Sequence, residues 1–200
     1  VTLALAIGSM LLGLIIGIIT ALARISKNPL LHKTASVYIS IIRGTPLLVQ
    51  IYVIYYGLPQ IGIALDPISS GIIALSLNVG AYLSESFRAA IQSVDKGQME
   101  AAESIGMTYG QAMRRIIIPQ SIRTAIPTIG NTYIGLLKDT SLVSVITVTE
   151  LLQMTSLLIA KTFEPLTLYL IAGAIYWILS TAFTILQGRV EIRVARHVRQ

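Results

Sequence analysis

Apolar windows long enough to cross a hydrocarbon core, which takes about 20 residues of helix, recur along this chain. The first runs from Val1 to about Ala23, the second from about Ser36 to Tyr56, and the third from about Ile68 to Ser93. A fourth begins near Gln120 and reaches about Leu137, and the last covers about Pro165 to Leu186. A further apolar stretch, Val143 to Ala160, is interrupted by Thr147, Thr149, Glu150 and Gln153. The pattern predicts an all-α membrane protein of five transmembrane helices (1–23, 36–56, 68–93, 120–137 and 165–186), one transmembrane domain over 1–200.

Composition supports the bilayer as solvent. Hydrophobic residues make up 54% of the chain and charged residues 12%, whereas soluble domains carry about a quarter charged. With no cysteine, disulfides, thiolate metal sites and a Cys nucleophile are excluded. Val1–Ala23 lacks the basic start of a signal peptide, and its apolar run is longer than a typical signal core. It reads as a span, and the chain begins inside it, so a short preceding segment is expected to be missing.

An odd number of crossings puts the termini on opposite sides, and Lys and Arg set the orientation. One side receives Arg24, Lys27, Lys33, Arg88, Lys96, Arg114, Arg115, Arg123, Arg189, Arg193, Arg196 and Arg199; the other receives only Lys138 and Lys161. Twelve against two places the N-terminus outside and the C-terminus in the cytoplasm. The net charge of +6 therefore belongs to the membrane border. Scattered over three loops without aromatic interleaving, it is no nucleic-acid surface.

The polar segment 94–119 lies between spans three and four. Asp95 with Gln98, and Thr108 with Gln111, fit the capping box. Gly106 suits the left-handed residue that closes a helix, and Pro119 is expected to end the second helix and can open the next at its first turn. Two cytoplasmic helices, about Lys96–Ile105 and Tyr109–Ile118, are predicted. Met99, Ala102 and Ile105 fall close to one face, and Ala101 and Ala102 keep the surface slim. Such a helix either docks another protein or lies against the membrane.

The run Glu100-Ala101-Ala102, three residues, Gly106, nine residues, then Ile116-Ile117-Ile118-Pro119 resembles the EAA signature of bacterial ABC importer permeases, with Ile118 where Leu is usual. Further, 43-RGTPLLVQ-50, 81-AYLSESFRAAIQSV-94 and 138-KDTSL-142 resemble the polar amino-acid subgroup, the histidine- and glutamine-type importers. The resemblance implies that Glu100, Ala101, Ala102, Ile105 and Gly106 couple the chain to a separate ATPase. It also implies two ATPase copies carrying ATP and Mg, a second permease (a copy or a homologue), an external substrate-binding protein and a place in the bacterial cytoplasmic membrane. The chain has no GxxxxGK[ST] phosphate cradle, so it is expected to be neither an enzyme nor a cofactor carrier.

Ionisable and polar residues inside spans need a partner, a wet path or an escape to the interface. Arg43 and Glu85 each sit roughly 10 Å deep at 1.5 Å per residue, which predicts an ion pair between them or snorkelling by Arg43. Asn78, Tyr82 and Glu85 share a helix face and read either as interhelical hydrogen bonding or as substrate path. Gly44 and Pro46 predict a kink or break, with Gln50 on the face of Arg43. Asp139, Thr140 and Ser141 read as caps of a broken helix near 138–142, whose free N–H groups would suit a carboxylate, or as an ordinary surface turn.

The rival reading is an ion channel or ion-gradient-driven secondary transporter, and no internal inverted repeat supports it. An intramembrane enzyme is the other class. His32 and His197 lie in predicted cytoplasmic segments, and a Ser–Lys pair of Lys138 and Ser141 lacks an oxyanion hole.

Overall fold

The computed structural model describes residues 1–195, and no strand occurs among them. Three helices are individually long and apolar enough to cross a membrane, and two bent pairs bring the number to as many as five. Arg196, His197 and Arg199 lie outside the described residues.

Helix α1, Thr2–Ile25, packs along α4, Pro67–Gln92. The approach is close because glycines line it. A Cβ on Gly17 would stand 2.9 Å from Leu83 Cβ, and one on Gly80 would stand 2.9 Å from Ile16 Cβ. In a bilayer, where apolar burial gives no drive between helices, such small-residue contacts hold spans together. Asp66 caps α4 by accepting from the N–H groups of Ile68 and Ser69. Hydrogen bonds from Ser69 foremost hold its carboxyl below the ordinary carboxylate range.

The second span is broken outright, the sharper of the two outcomes expected from Gly44 and Pro46. Helix α2, Pro29–Gly44, starts earlier than expected because Asn28 caps it and Pro29 opens its first turn. Its axis then turns by 106° before the segment Leu47–Ile61. Thr45, the residue before Pro46, is extended at φ −121° and ψ 145°, as steric conflict with the proline ring dictates. Helix α3, Leu47–Tyr52, runs on through a π turn, Val53–Gly57, and a 3₁₀ turn, Leu58–Ile61.

In the polar segment, Asp95 caps α5, Lys96–Ser104, by accepting from Gly97 N–H. Gly106 closes it at φ +82°. The N–H groups of Gly106 and Met107 donate to the carbonyls of Glu103 and Ala102, which is the Schellman arrangement. Helix α6, Tyr109–Ala112, opens with the expected capping box of Thr108 and Gln111. It does not stop at Pro119. It continues through a π turn, Met113–Ile117, into α7, Ile118–Asp139. The widened turn ahead of Pro119 relieves the ring's clash with the preceding carbonyls.

After Asp139 the chain tightens into a 3₁₀ turn, Thr140–Ile146, and Thr147 adopts φ +66°. A 50° bend leads to α8, Leu151–Thr162. The helix thus changes character inside 138–142, but the bend and new helix start come later. The cap is Glu150, which accepts from Gln153 N–H. Asp139, Thr140 and Ser141 are not caps: the hydroxyls of Thr140 and Ser141 donate back to the carbonyls of Leu137 and Lys138.

Helix α9, Pro165–Ala195, spans roughly 46 Å at 1.5 Å per residue, longer than a hydrocarbon core of about 30 Å. The buried core gathers Leu5, Ile51, Leu75, Leu83, Leu137 and Ile146, drawn from α1, α3, α4, α7 and the 3₁₀ turn.

Candidate functional site: a polar cavity beside the broken span

A cavity of about 360 Å³ lies between the break in span two, α4 and α7. Thr45, Pro46, Asn78, Tyr82, Thr132 and Asp139 line it. The break supplies one wall. A helix end leaves its last carbonyls without intrahelical donors, and Pro46 has no N–H to offer. Gln50 fills that need: its Nε2 donates to the carbonyls of Ile42 (2.7 Å) and Thr45 (3.1 Å). Its Oε1 accepts from Asn78 Nδ2 at 3.1 Å. One side chain therefore ties the unwound backbone of span two to α4.

Tyr82 lies one turn beyond Asn78 on α4, and the Arg43 guanidinium sits 5.2 Å from its ring centroid, a cation–π distance. The third wall is a face of α7. Thr132, Gly135 and Asp139 follow at i, i+3 and i+7, so they align along one side. The half-buried carboxylate of Asp139, amide of Asn78 and hydroxyl of Thr132 thus converge with the exposed phenol of Tyr82 on one space. They suit hydrogen bonding to a small zwitterion rather than passage of an apolar molecule.

Asn78, Tyr82 and Asp139 are brought together as cavity lining, with Gln50 set one bond behind. Thr140 is fully buried away from the cavity, and Ser141 does not line it. The expected Arg43–Glu85 ion pair is corrected. Glu85 pairs with Arg88 at 2.7 Å, one turn along the same helix, and with Arg24 at 3.9 Å from the end of α1. Arg88 reaches Glu85 without crossing between helices, while Arg43 stacks on Tyr82.

In the polar segment, Ile105 is 78% exposed, and Glu100, Ala101 and Gly106 are exposed with it. Ala102 is 1% exposed. The expected face of Met99, Ala102 and Ile105 therefore splits. The π turn of Met113–Ile117 packs on α5, so Ala102 serves the chain's own packing. Ile105, at the C-cap where the helix ends, turns outward.

Sequence reasoning missed Thr45, Thr132 and Gly135 in the lining. The i, i+3, i+7 spacing up to Asp139 carries the same signal as Asn78 and Tyr82. Sequence reasoning noted Glu150 only as an interruption of an apolar run and gave it no partner; the residue is 2% exposed and accepts from Tyr176 Oη at 2.7 Å. Its acidic side chain in an apolar run was the available sign.

Broken membrane helices around a polar cavity, joined to an ordered surface loop, define a transport subunit that works within a bilayer. The chain belongs to the family described as binding-protein-dependent transport system inner membrane component, which matches residues 13–196. It is 48% identical over 198 residues to the L-cystine transport system permease protein TcyB of Bacillus subtilis (strain 168), covering 98% of this chain and 85% of that one. It is 38% identical over 192 residues to the arginine transport system permease protein ArtQ of the same organism, covering 96% and 88%. Among solved structures, an amino acid ABC transporter with histidines superposes with TM-score 0.92 at 41% identity, covering 96% of this chain and 90% of that one. The inward-facing MetNI methionine ABC transporter shares the fold, with TM-score 0.79 at 19% identity and coverage of 96% and 92%. The resemblance carried by the EAA signature is thereby borne out.

Proposed function

We propose that this chain is one permease of an ATP-driven importer that moves a polar or charged amino acid into the cytoplasm, with the cavity between span two, α4 and α7 as part of the substrate path. The observation that carries this is mechanical continuity. Helix α6, the π turn and α7 form one unbroken run from the exposed loop at Ile105–Gly106 to Asp139 in the cavity wall. Helix α5 is tied to that run by buried Ala102 and by Gln120 Nε2, which donates to Gln98 Oε1 at 3.3 Å. A push on α5 therefore reaches the residues that line the cavity.

The loop 94–119 lies in the cytoplasm with the C-terminus, and the N-terminus lies outside. Glu100, Ala101, Ile105 and Gly106 meet the ATPase, with Ala102 holding α5 in place beneath them. Two ATPase subunits carry ATP and Mg, a second permease completes the pathway, and an external binding protein delivers cargo. The amino-acid names of the relatives, cystine and arginine among them, support the substrate class. Within the cavity, Asp139 and the free side-chain carbonyl of Asn78 accept from an ammonium group, and Tyr82 contributes a hydroxyl; the Thr132 hydroxyl already donates to Thr128 O at 2.8 Å and can only accept. ATP binding and hydrolysis move α5 and rock α7 against the broken span, a rigid-element alternating-access step.

The test is ATPase turnover by the reconstituted complex with binding protein and amino acid added. Stimulation by cargo-loaded binding protein, lost in Ile105→Asp, is the expected result. Turnover that ignores cargo and survives Ile105→Asp defeats the coupling assignment.

A further inference from the structure

A second groove, of about 320 Å³, lies between α1, α7 and α9. Met10, Leu14, Ile129, Tyr133, Phe183 and Leu186 are among its lining residues, and the lining is almost wholly apolar. It is distinct from the polar cavity and shares no residue with it. In a chain that spans a bilayer, an apolar groove of this size beside an exposed helix is solvated by acyl chains, so the question is whether it selects one.

The answer comes from one end of the groove. The antiparallel helices α7 and α9 meet there through Gln187, whose Nε2 donates to Pro127 O at 3.0 Å, with Gly130 lying against the same side chain. One turn before Pro127 on α7 is Arg123, and flanking the lining residue Val190 on α9 are Arg189 and Arg193. All three are exposed, and none forms an ion pair with the described residues. The nearby acid, Glu191, accepts from Gln187 at 2.7 Å and offsets one of those charges. The excess at the mouth remains positive. An apolar slot between transmembrane helices that ends in such exposed arginines has the chemistry of an anionic lipid site.

We propose that this groove binds an anionic phospholipid from the leaflet on the side of the basic helix ends, with an acyl chain along Met10, Ile129 and Phe183 and the phosphate between Arg123 and Arg193, the arginine that continues the lining face of α9. A zwitterionic lipid fits the slot equally but gains less at the mouth. The site stands against α7, the helix that also lines the polar cavity, so its occupancy bears on the element that moves in transport.

The experiment uses the transporter assembled with its partner subunits in nanodiscs containing phosphatidylglycerol or phosphatidylcholine that bears a photoactivatable acyl chain. Adducts are mapped by mass spectrometry. The proposal expects adducts on the groove-lining stretches of α7 and α9, several-fold more from phosphatidylglycerol than from phosphatidylcholine. It expects that excess to vanish in the Arg123→Gln, Arg193→Gln double variant and to persist in an Arg114→Gln, Arg115→Gln control. Equal labelling by both lipids, or loss of the excess in the control as well, overturns the site in favour of general surface attraction. Adducts absent from the groove while other faces label would mean that protein, the second permease first, covers it, and would overturn the proposal too. Melting temperatures of the variants separate a lost site from a lost fold.

Discussion

Gln50 and Asn78 are joined side chain to side chain, with Asn78 Nδ2 donating to Gln50 Oε1 at 3.1 Å, while the other end of Gln50 holds the carbonyls left open by the break at Pro46. This one residue takes up two of the carbonyls exposed where a membrane helix stops and turns 106°. Gln50→Leu keeps the volume and removes the amide, so two carbonyls and the Asn78 amide lose their partner. An unmade hydrogen bond at a half-buried site costs about 1–3 kcal/mol. The expected outcome is a lower melting temperature together with reduced uptake, read on the same reconstituted preparation.

Helices α1 and α4 meet through glycine, and side chains there should be rejected according to the space available. Gly80→Val places a branched carbon against Ile16, whose Cβ lies only 2.9 Å from where the first added carbon would stand. Overpacking of this kind costs about 1–3 kcal/mol. Gly8, on the same helix as Ile16, has nothing within 4 Å, and Gly8→Val should be neutral or slightly stabilising. Thermal unfolding in detergent compares the two, and equal losses would count against this packing.

Ile105 and Ala102 lie three residues apart and should respond in opposite ways. Ile105→Asp changes an exposed residue, so stability should stay within about 0.5 kcal/mol while ATP-dependent uptake is lost. Ala102→Trp cannot fit where the alanine is 1% exposed. It should disturb the loop and lower the melting temperature as well as uptake. Gly106→Ala, at φ +82°, should cost about 1–2 kcal/mol locally and slow coupling. Measuring melting and uptake on all three separates docking from folding.

Asp139 is the acid of the polar cavity. If it receives the ammonium group of the cargo, Asp139→Asn removes a charged hydrogen bond worth about 1.5–3 kcal/mol, roughly a tenfold to hundredfold fall in kcat/KM for uptake. Ser141→Ala, whose hydroxyl is spent on Lys138 O, should leave the same parameter unchanged.

The spans were legible because apolar length obeys bilayer physics directly, and the caps at Asp95, Thr108 and Gly106 because each meets a local backbone need. Three features depended on geometry that sequence spacing does not carry. Pro46 announced a break but not its angle. The helix through Pro119 was hidden because a π turn absorbed the proline. Glu85 took Arg88 from its own helix rather than Arg43 from another, and nothing in the spacing ranked those partners. In the cavity, Asn78, Tyr82 and Asp139 were readable as polar residues in greasy helices. Thr132 and Gly135 were overlooked because a threonine and a glycine draw little notice in a membrane helix, although their spacing to Asp139 marks the face.

The most direct test of the central claim is radiolabelled uptake of Arg, His, Lys, Gln, Glu and cystine into proteoliposomes holding this chain, its ATPase and the binding protein, with ATP inside or an ion gradient imposed. The account predicts uptake of at least one of these that requires ATP and binding protein, is indifferent to the gradient, and fails in Ile105→Asp. Uptake that follows the gradient without ATP would contradict it and make this a secondary transporter.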